Sequence, residues 1–206
     1  MLVAVGRAPL VQGLGLDEIG VPTDPRTGIA TDDHMRTAIP TIFAAGDVAG
    51  RWQLAHTAFR EGEIAAENAM GHNAVLGSPS VPRPIYTDPE IAGVGLTEEQ
   101  AREQYGDDVL VGKFPFSANG RAMMQNETVG WVKSIHEARY GELLGLVMVG
   151  PHATDLIEVG VVAIDAESTV QTVADGIAPH PTLSEAIKEA GLVALGRAIH
   201  LPPKRR

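Results

Sequence analysis

Val109-Leu110-Val111-Gly112-Lys113-Phe114-Pro115-Phe116, then Thr128-Val129-Gly130-Trp131-Val132-Lys133-Ser134-Ile135-His136, then Glu142-Leu143-Leu144-Gly145-Leu146-Val147-Met148-Val149 follow one another closely along the chain. Each run is short, rich in β-branched or aromatic side chains, and set off by polar or glycine-containing turns. That pattern predicts strands of an antiparallel meander. Just upstream, Thr97-Glu98-Glu99-Gln100 has the spacing of a capping box and predicts a short helix ended by Gly106. Downstream, residues 154–166 are apolar on most sides (Leu156, Ile157, Val159, Val161, Val162, Ile164). A helix of that kind is expected to be deeply buried, within the domain or against a partner. A last helix is predicted over about 183–195. Strands followed by flanking helices place this region in the α+β class.

The segment from Gly77 to Pro84 carries Pro79, Pro82 and Pro84 beside Ser78 and Ser80, the sharpest linker-like shift in the sequence. It divides the chain into residues 1–82 and 83–206. In the first part, Leu2-Val3-Ala4-Val5-Gly6 reads as a buried strand without a preceding partner, which predicts a truncated domain. Residues 11–40, with Pro22-Thr23-Asp24-Pro25 and Thr27-Gly28, predict short strands and loops. Thr41-Ile42-Phe43-Ala44-Ala45-Gly46 reads as a short strand leading into Asp47, and a helix is expected from about Leu54 to Met70, closed by Gly71.

Composition excludes several function classes. The 206 residues carry 16 Lys plus Arg against 26 Asp plus Glu, a net charge of −10 that repels a nucleic-acid backbone. The basic cluster Lys204-Arg205-Arg206 reads as a solvated tail. No run reaches the length of a membrane span and no signal peptide is evident, so a cytoplasmic protein is expected. Seven histidines are scattered without a metal-binding spacing, and no metal site is predicted. The chain has no cysteine, which removes any thiol nucleophile from it.

His180-Pro181-Thr182-Leu183-Ser184-Glu185 admits two readings. In one, Thr182 is the N-cap and Glu185 the N3 residue of a capping box, and His180 is an ordinary loop histidine. In the other, the Glu185 carboxylate accepts a hydrogen bond from one ring nitrogen of His180 and raises the basicity of the other, making a general acid–base. The readings are compatible, since a carboxylate has two oxygens.

These six residues resemble the signature of the dihydrolipoamide dehydrogenases within the flavin-dependent pyridine nucleotide-disulfide oxidoreductases. Other stretches resemble the same family in the same order. Val5-Gly6-Arg7-Ala8-Pro9 is similar to the end of its NAD domain, with Gly6 near the nicotinamide cofactor. Phe43-Ala44-Ala45-Gly46-Asp47 is similar to its second FAD motif, with Asp47 toward the ribityl chain. Gln53-Leu54-Ala55-His56 falls where a helix N-terminus faces the flavin ring, Gln53 standing in place of the more usual apolar residue. Thr87 to Gly95 resembles the start of the interface domain, and Asn119-Gly120-Arg121-Ala122 its arginine-alanine turn.

The resemblance implies the remnant of an FAD/NAD-binding α/β region followed by an interface (dimerisation) domain with an antiparallel sheet and flanking helices. It implies a C-terminal portion only, because the sequence has neither a G-x-G-x-x-G loop nor the redox cysteine pair. It further implies FAD and NAD as cofactors, a homodimer with shared active sites, and a lipoyl-bearing component of a 2-oxo acid dehydrogenase-type complex as partner, in the context of cell redox homeostasis. His180 would take the proton of the dithiol and Glu185 would orient it. Leu183-Ser184 points to lipoamide rather than glutathione, and the absence of a C-terminal cysteine pair disfavours mercuric reductase. A chain acting only as a dimerisation module, without catalysis of its own, is the rival expectation.

Overall fold

The computed structural model describes residues 1–77 and 80–202. Ser78 and Pro79 of the predicted linker, and the tail Lys204-Arg205-Arg206, lie outside the described residues. The chain divides into two compact units, Met1–Ser78 and Pro79–Arg206.

The second unit is built on one five-stranded antiparallel sheet. Its strands are β1 (Arg83–Ile85), β2 (Glu90–Gly95), β3 (Val109–Pro115), β4 (Trp131–Glu137) and β5 (Leu143–Gly150), in the order β1-β2-β5-β4-β3. The meander β3-β4-β5 forms as its patterning predicts, whereas β1 and β2 carried no strand signal: Pro84 interrupts one, and Gly93 and Gly95 dilute the other. Between β4 and β5 the register passes from Ile135 opposite Gly145 to His136 opposite Leu143, so Leu144 is the extra residue of a β-bulge. The bulge lets Leu144 join Ala101, Val109 and Ile135 in a cluster apart from the main core, which takes Leu146 and Met148.

α2 (Glu98–Tyr105) starts at the predicted capping box, with Thr97 and Gln100 bonded reciprocally, and ends at Gly106. α3 (Gly120–Gln125), α4 (Ala153–Leu156), α5 (Glu158–Asp165), α6 (Val170–Asp175) and α7 (Glu185–Ala194) complete the unit. The expected helix over 154–166 is broken into α4 and α5 at Ile157. It is not buried all round in this chain. Ile157 and Gly160 face the core, while Val159 and Val162 are 47% and 58% exposed.

α7 lies on β3 and β4 and sends Ala186, Ile187 and Ala190 into the main core against Phe114, Val132 and Leu146. The approach is close because of Gly112. A Cβ there would stand 1.8 Å from the Ala190 carbonyl oxygen. This contact sets the height of α7 on the sheet, and with it the position of Glu185 in its first turn.

The first unit holds a small core of Val11, Val21, Ile29, Ala44 and Ala49, a 3₁₀ turn at Gly46–Ala49, and α1 (Ala55–Ala69). The expected strand Leu2–Gly6 does not form, and residues 1–8 are exposed. No other segment among the described residues pairs with it, and a lone strand has no ladder to satisfy its backbone. The apolar run 41–46 makes only one bridge, Phe43 to Arg36, before the 3₁₀ turn.

Candidate active site

His180 sits on the loop between α6 and α7, and Glu185 opens α7. The ring Nδ1 lies 2.9 Å from Glu185 Oε1, and the backbone N–H of Thr182 donates to Oε2 at 2.9 Å. One carboxylate therefore serves both the histidine and the backbone. The capping box is only half formed, because the Thr182 hydroxyl turns away to donate to the Pro179 carbonyl at 2.8 Å and shares a contact with Ser184. The helix opens instead with tight-turn bonds from Ala186 to Leu183 and from Ile187 to Ser184, so Ser184 rather than Thr182 precedes it. The His180–Pro181 peptide is cis.

Partial burial pushes the Glu185 carboxyl up, but the Thr182 N–H and the His180 ring outweigh it and hold the group below its usual range. The free N–H groups of the first turn of α7 favour the same charge. An ionised Glu185 is only an acceptor, so the proton of a neutral His180 ring belongs on Nδ1 and the lone pair on Nε2. The His180 side chain is 73% exposed while Glu185 is 20% exposed. Such a pair presents a basic nitrogen to solvent from a partly sheltered anchor, the arrangement of a general acid–base.

Two further bonds fix this loop. Lys188 donates from α7 to the Gly176 carbonyl at 2.7 Å, and Asn119 Nδ2 donates to the Thr182 carbonyl at 3.0 Å. A second histidine–carboxylate pair joins α7 to the segment after it, with His200 Nδ1 2.8 Å from Glu189 Oε1. Glu189 is buried and also accepts from the Ile199 and His200 backbone N–H groups at 3.3 Å, tying the segment after α7 to the helix. None of these partners is legible in local spacing. Asn119 and Thr182 are 63 residues apart, and Asn119-Gly120 reads as a turn.

In the first unit, Arg7 brings together three of the predicted stretches. Its Nη1 lies 3.6 Å from Asp47 Oδ2, and its Nη2 donates to the Gln53 carbonyl. Gly46 packs against α1, where an added Cβ would lie 3.1 Å from Ala58 Cβ, and its N–H donates to the buried Glu61 at 2.6 Å. The other Glu61 oxygen is buried and has no hydrogen-bond partner among the described residues. Leu54 precedes α1 with no side-chain cap, Ala55 is exposed, and Gln53 and His56 are partly buried.

Asp47, with a side chain 55% exposed, is open to a hydroxyl donor, and the α1 N-terminus to negative charge. These residues fit one edge of a flavin. Gly6 lies in open space, with nothing within 4 Å of an added Cβ. Among the described residues no cluster suited to a metal ion occurs, and no helix is long and apolar enough to cross a membrane.

Two family models match the chain. The pyridine nucleotide-disulphide oxidoreductase dimerisation domain covers residues 81–191, and pyridine nucleotide-disulphide oxidoreductase covers residues 1–62. The sequence is 46% identical to a dihydrolipoyl dehydrogenase of Bacillus subtilis over 97% of this chain and 43% of that protein. The chain thus spans less than half the length of that curated relative. Among solved structures, LpdA of Mycobacterium tuberculosis superposes with a TM-score of 0.81 at 32% identity, over 89% of this chain and 40% of that one. The HOCl-induced flavoprotein disulfide reductase RclA of Escherichia coli superposes at 0.83 and 28% identity, over 91% and 43%.

Proposed function

Because the chain belongs to the pyridine nucleotide-disulphide oxidoreductase family, we propose that it supplies the dithiol-facing acid–base pair of a dihydrolipoyl dehydrogenase. The observation that carries this is the 2.9 Å contact between His180 Nδ1 and an ionised, backbone-anchored Glu185, with Nε2 left open. His180 Nε2 accepts the proton of a dihydrolipoamide thiol, because only the thiolate attacks a disulfide efficiently. Glu185 holds the ring and balances the charge that develops on it. The disulfide lies outside this chain, which has no cysteine. Relatives named dihydrolipoyl dehydrogenase favour lipoamide over glutathione as the substrate.

Bound FAD and NAD supply the electron and hydride transfer of the family. Of this chain's residues, Asp47 would accept a hydrogen bond from the flavin's hydroxyl chain, and the N-terminus of α1 from Leu54 onward would face negative charge on its ring. A lipoyl-bearing component of a 2-oxo acid dehydrogenase-type complex as partner, and a cytoplasmic location, belong to the same proposal.

In the flavin-loaded enzyme containing this chain, His180→Gln is expected to reduce lipoamide turnover by roughly 10²–10⁴-fold while sparing electron transfer from NADH to an artificial acceptor, which bypasses the dithiol. Equal loss in both assays rules the assignment out.

A second reading, a dimerisation module inactive by itself, is supported by the apolar groove of about 530 Å³ that Val159, Val162, Val173 and Ile177 line. A homodimer would cover it. The purified chain is then expected to be colourless and dimeric, and flavin absorbance with lipoamide reduction would exclude this reading.

A further inference from the structure

We propose that Asn119 is a positioning residue for the His180–Glu185 pair, acting through the backbone of Thr182; the inference rests on reading that pair as the acid–base group. Asn119 is 4% exposed and uses both ends of its amide. Oδ1 accepts the Ala122 N–H at 2.9 Å, capping α3, and Nδ2 donates to the Thr182 carbonyl at 3.0 Å. The two partners fix which end is which, since a flipped amide would meet a donor with a donor and a carbonyl with a carbonyl.

Thr182 is held on both sides of its Cα. Its carbonyl is bound to Asn119 and its N–H to Glu185 Oε2, so the two peptide planes that define its φ and ψ are each tied down. The other Glu185 oxygen carries His180 Nδ1. A continuous series of hydrogen bonds therefore runs from α3, through Asn119, Thr182 and Glu185, to the ring.

Capping alone does not call for this residue. Asp and Ser cap a helix about as well as Asn, but neither carries an amide donor opposite the Thr182 carbonyl. The amide, rather than the cap, is what orients the pair.

The test compares Asn119→Asp and Asn119→Ser in the 206-residue chain, because both keep an oxygen for the Ala122 N–H and both lose the amide N–H that reaches the Thr182 carbonyl; an ionised Asp has no donor at all, and the Ser hydroxyl sits on a shorter side chain. Amide exchange of Thr182 and Ala122 is measured, with long-range ¹H–¹⁵N spectra of the His180 ring at about pH 8, where imidazoles are ordinarily neutral. In both variants Thr182 should exchange about tenfold faster or more, with Ala122 unchanged within about twofold. The Nδ1–H form of His180 should give way to the Nε2–H form.

A His180 ring unchanged in either variant overturns the proposal. A ring that changes only in step with Ala122 exchange also overturns it, because Asn119 would then be a cap and nothing more. Glu185→Ala separates the two levels. If it too leaves the His180 ring unchanged, the acid–base reading fails and the inference with it; if it shifts the ring while the Asn119 variants do not, only the inference fails.

Discussion

At the residue scale, Glu185 and His136 respond to acid for opposite chemical reasons and in the same direction. The depressed Glu185 carboxyl binds fewer protons folded than unfolded around the usual carboxylate range. Its contribution is complete above that range and is lost as pH falls through the depressed value. Glu185→Gln should remove that part of the acid dependence and cost about 1–2 kcal/mol near neutrality, since Gln has one acceptor oxygen for two donors. Urea midpoints measured against pH for both proteins check this. His136 on β4 is fully buried, and burial pushes its imidazole down to about 4; the Gly141 backbone opposes this weakly and without hydrogen-bond geometry at either ring nitrogen. The unfolded chain takes up this proton near the ordinary value of about 6.5 and the folded one does not, so stability should fall by about 2 kcal/mol between pH 7.5 and pH 5 from this group. His136→Leu should flatten that stretch of the curve, and an unaltered slope would show the dependence to arise elsewhere. The His180–Glu185 contact could be expected from a five-residue spacing. The Asn119 bond to the same loop could not, because it depends on where α3 lies after folding.

Among the elements, α7 depends on a single small residue of another element. Gly112→Ala would place a methyl 1.8 Å from the Ala190 carbonyl oxygen and 2.6 Å from the Ala194 nitrogen, both backbone atoms that no rotamer change can clear. The helix must lift from β3. A cost of about 2–3 kcal/mol is expected by calorimetry or urea unfolding, with weaker anchoring of the His180 loop as a second effect. Patterning reveals an element where the side chains themselves alternate, as in β3, β4 and β5, or where a cap is complete within four residues, as at Thr97–Gln100. It fails for β1 and β2, whose proline and glycines hide strands that their neighbours hold in register. The bulge at Leu144 is likewise unreadable, since it exists only relative to β4. The run Leu2–Gly6 shows the converse, a strand-like pattern with nothing beside it to pair with among the described residues.

For the whole molecule, the excess of acidic groups and the exposed apolar ridge of α5 make opposing demands on self-association. Two copies each carrying −10 repel at long range, so attraction must come from short-range apolar contact of the kind that Val159, Val162 and Ile177 offer. A homodimer formed through this groove should therefore tighten as salt rises from about 0.01 to 0.15 M, because the Debye length shrinks from about 30 to about 8 Å while apolar burial is little affected. Val162→Glu should disperse it to monomers by light scattering. The side chain is 58% exposed, so the monomer's own unfolding should move by no more than about 0.5 kcal/mol. A Val162→Glu protein that stays dimeric would place the interface on another face. The apolar run 154–166 reads in the sequence as a helix buried within the domain or against a partner, and its apolar residues outnumber what one core face takes. Which of them remain uncovered depends on the Ile157 break, which turns α5 so that Gly160 meets Val94 and Leu146 and leaves Val162 outward.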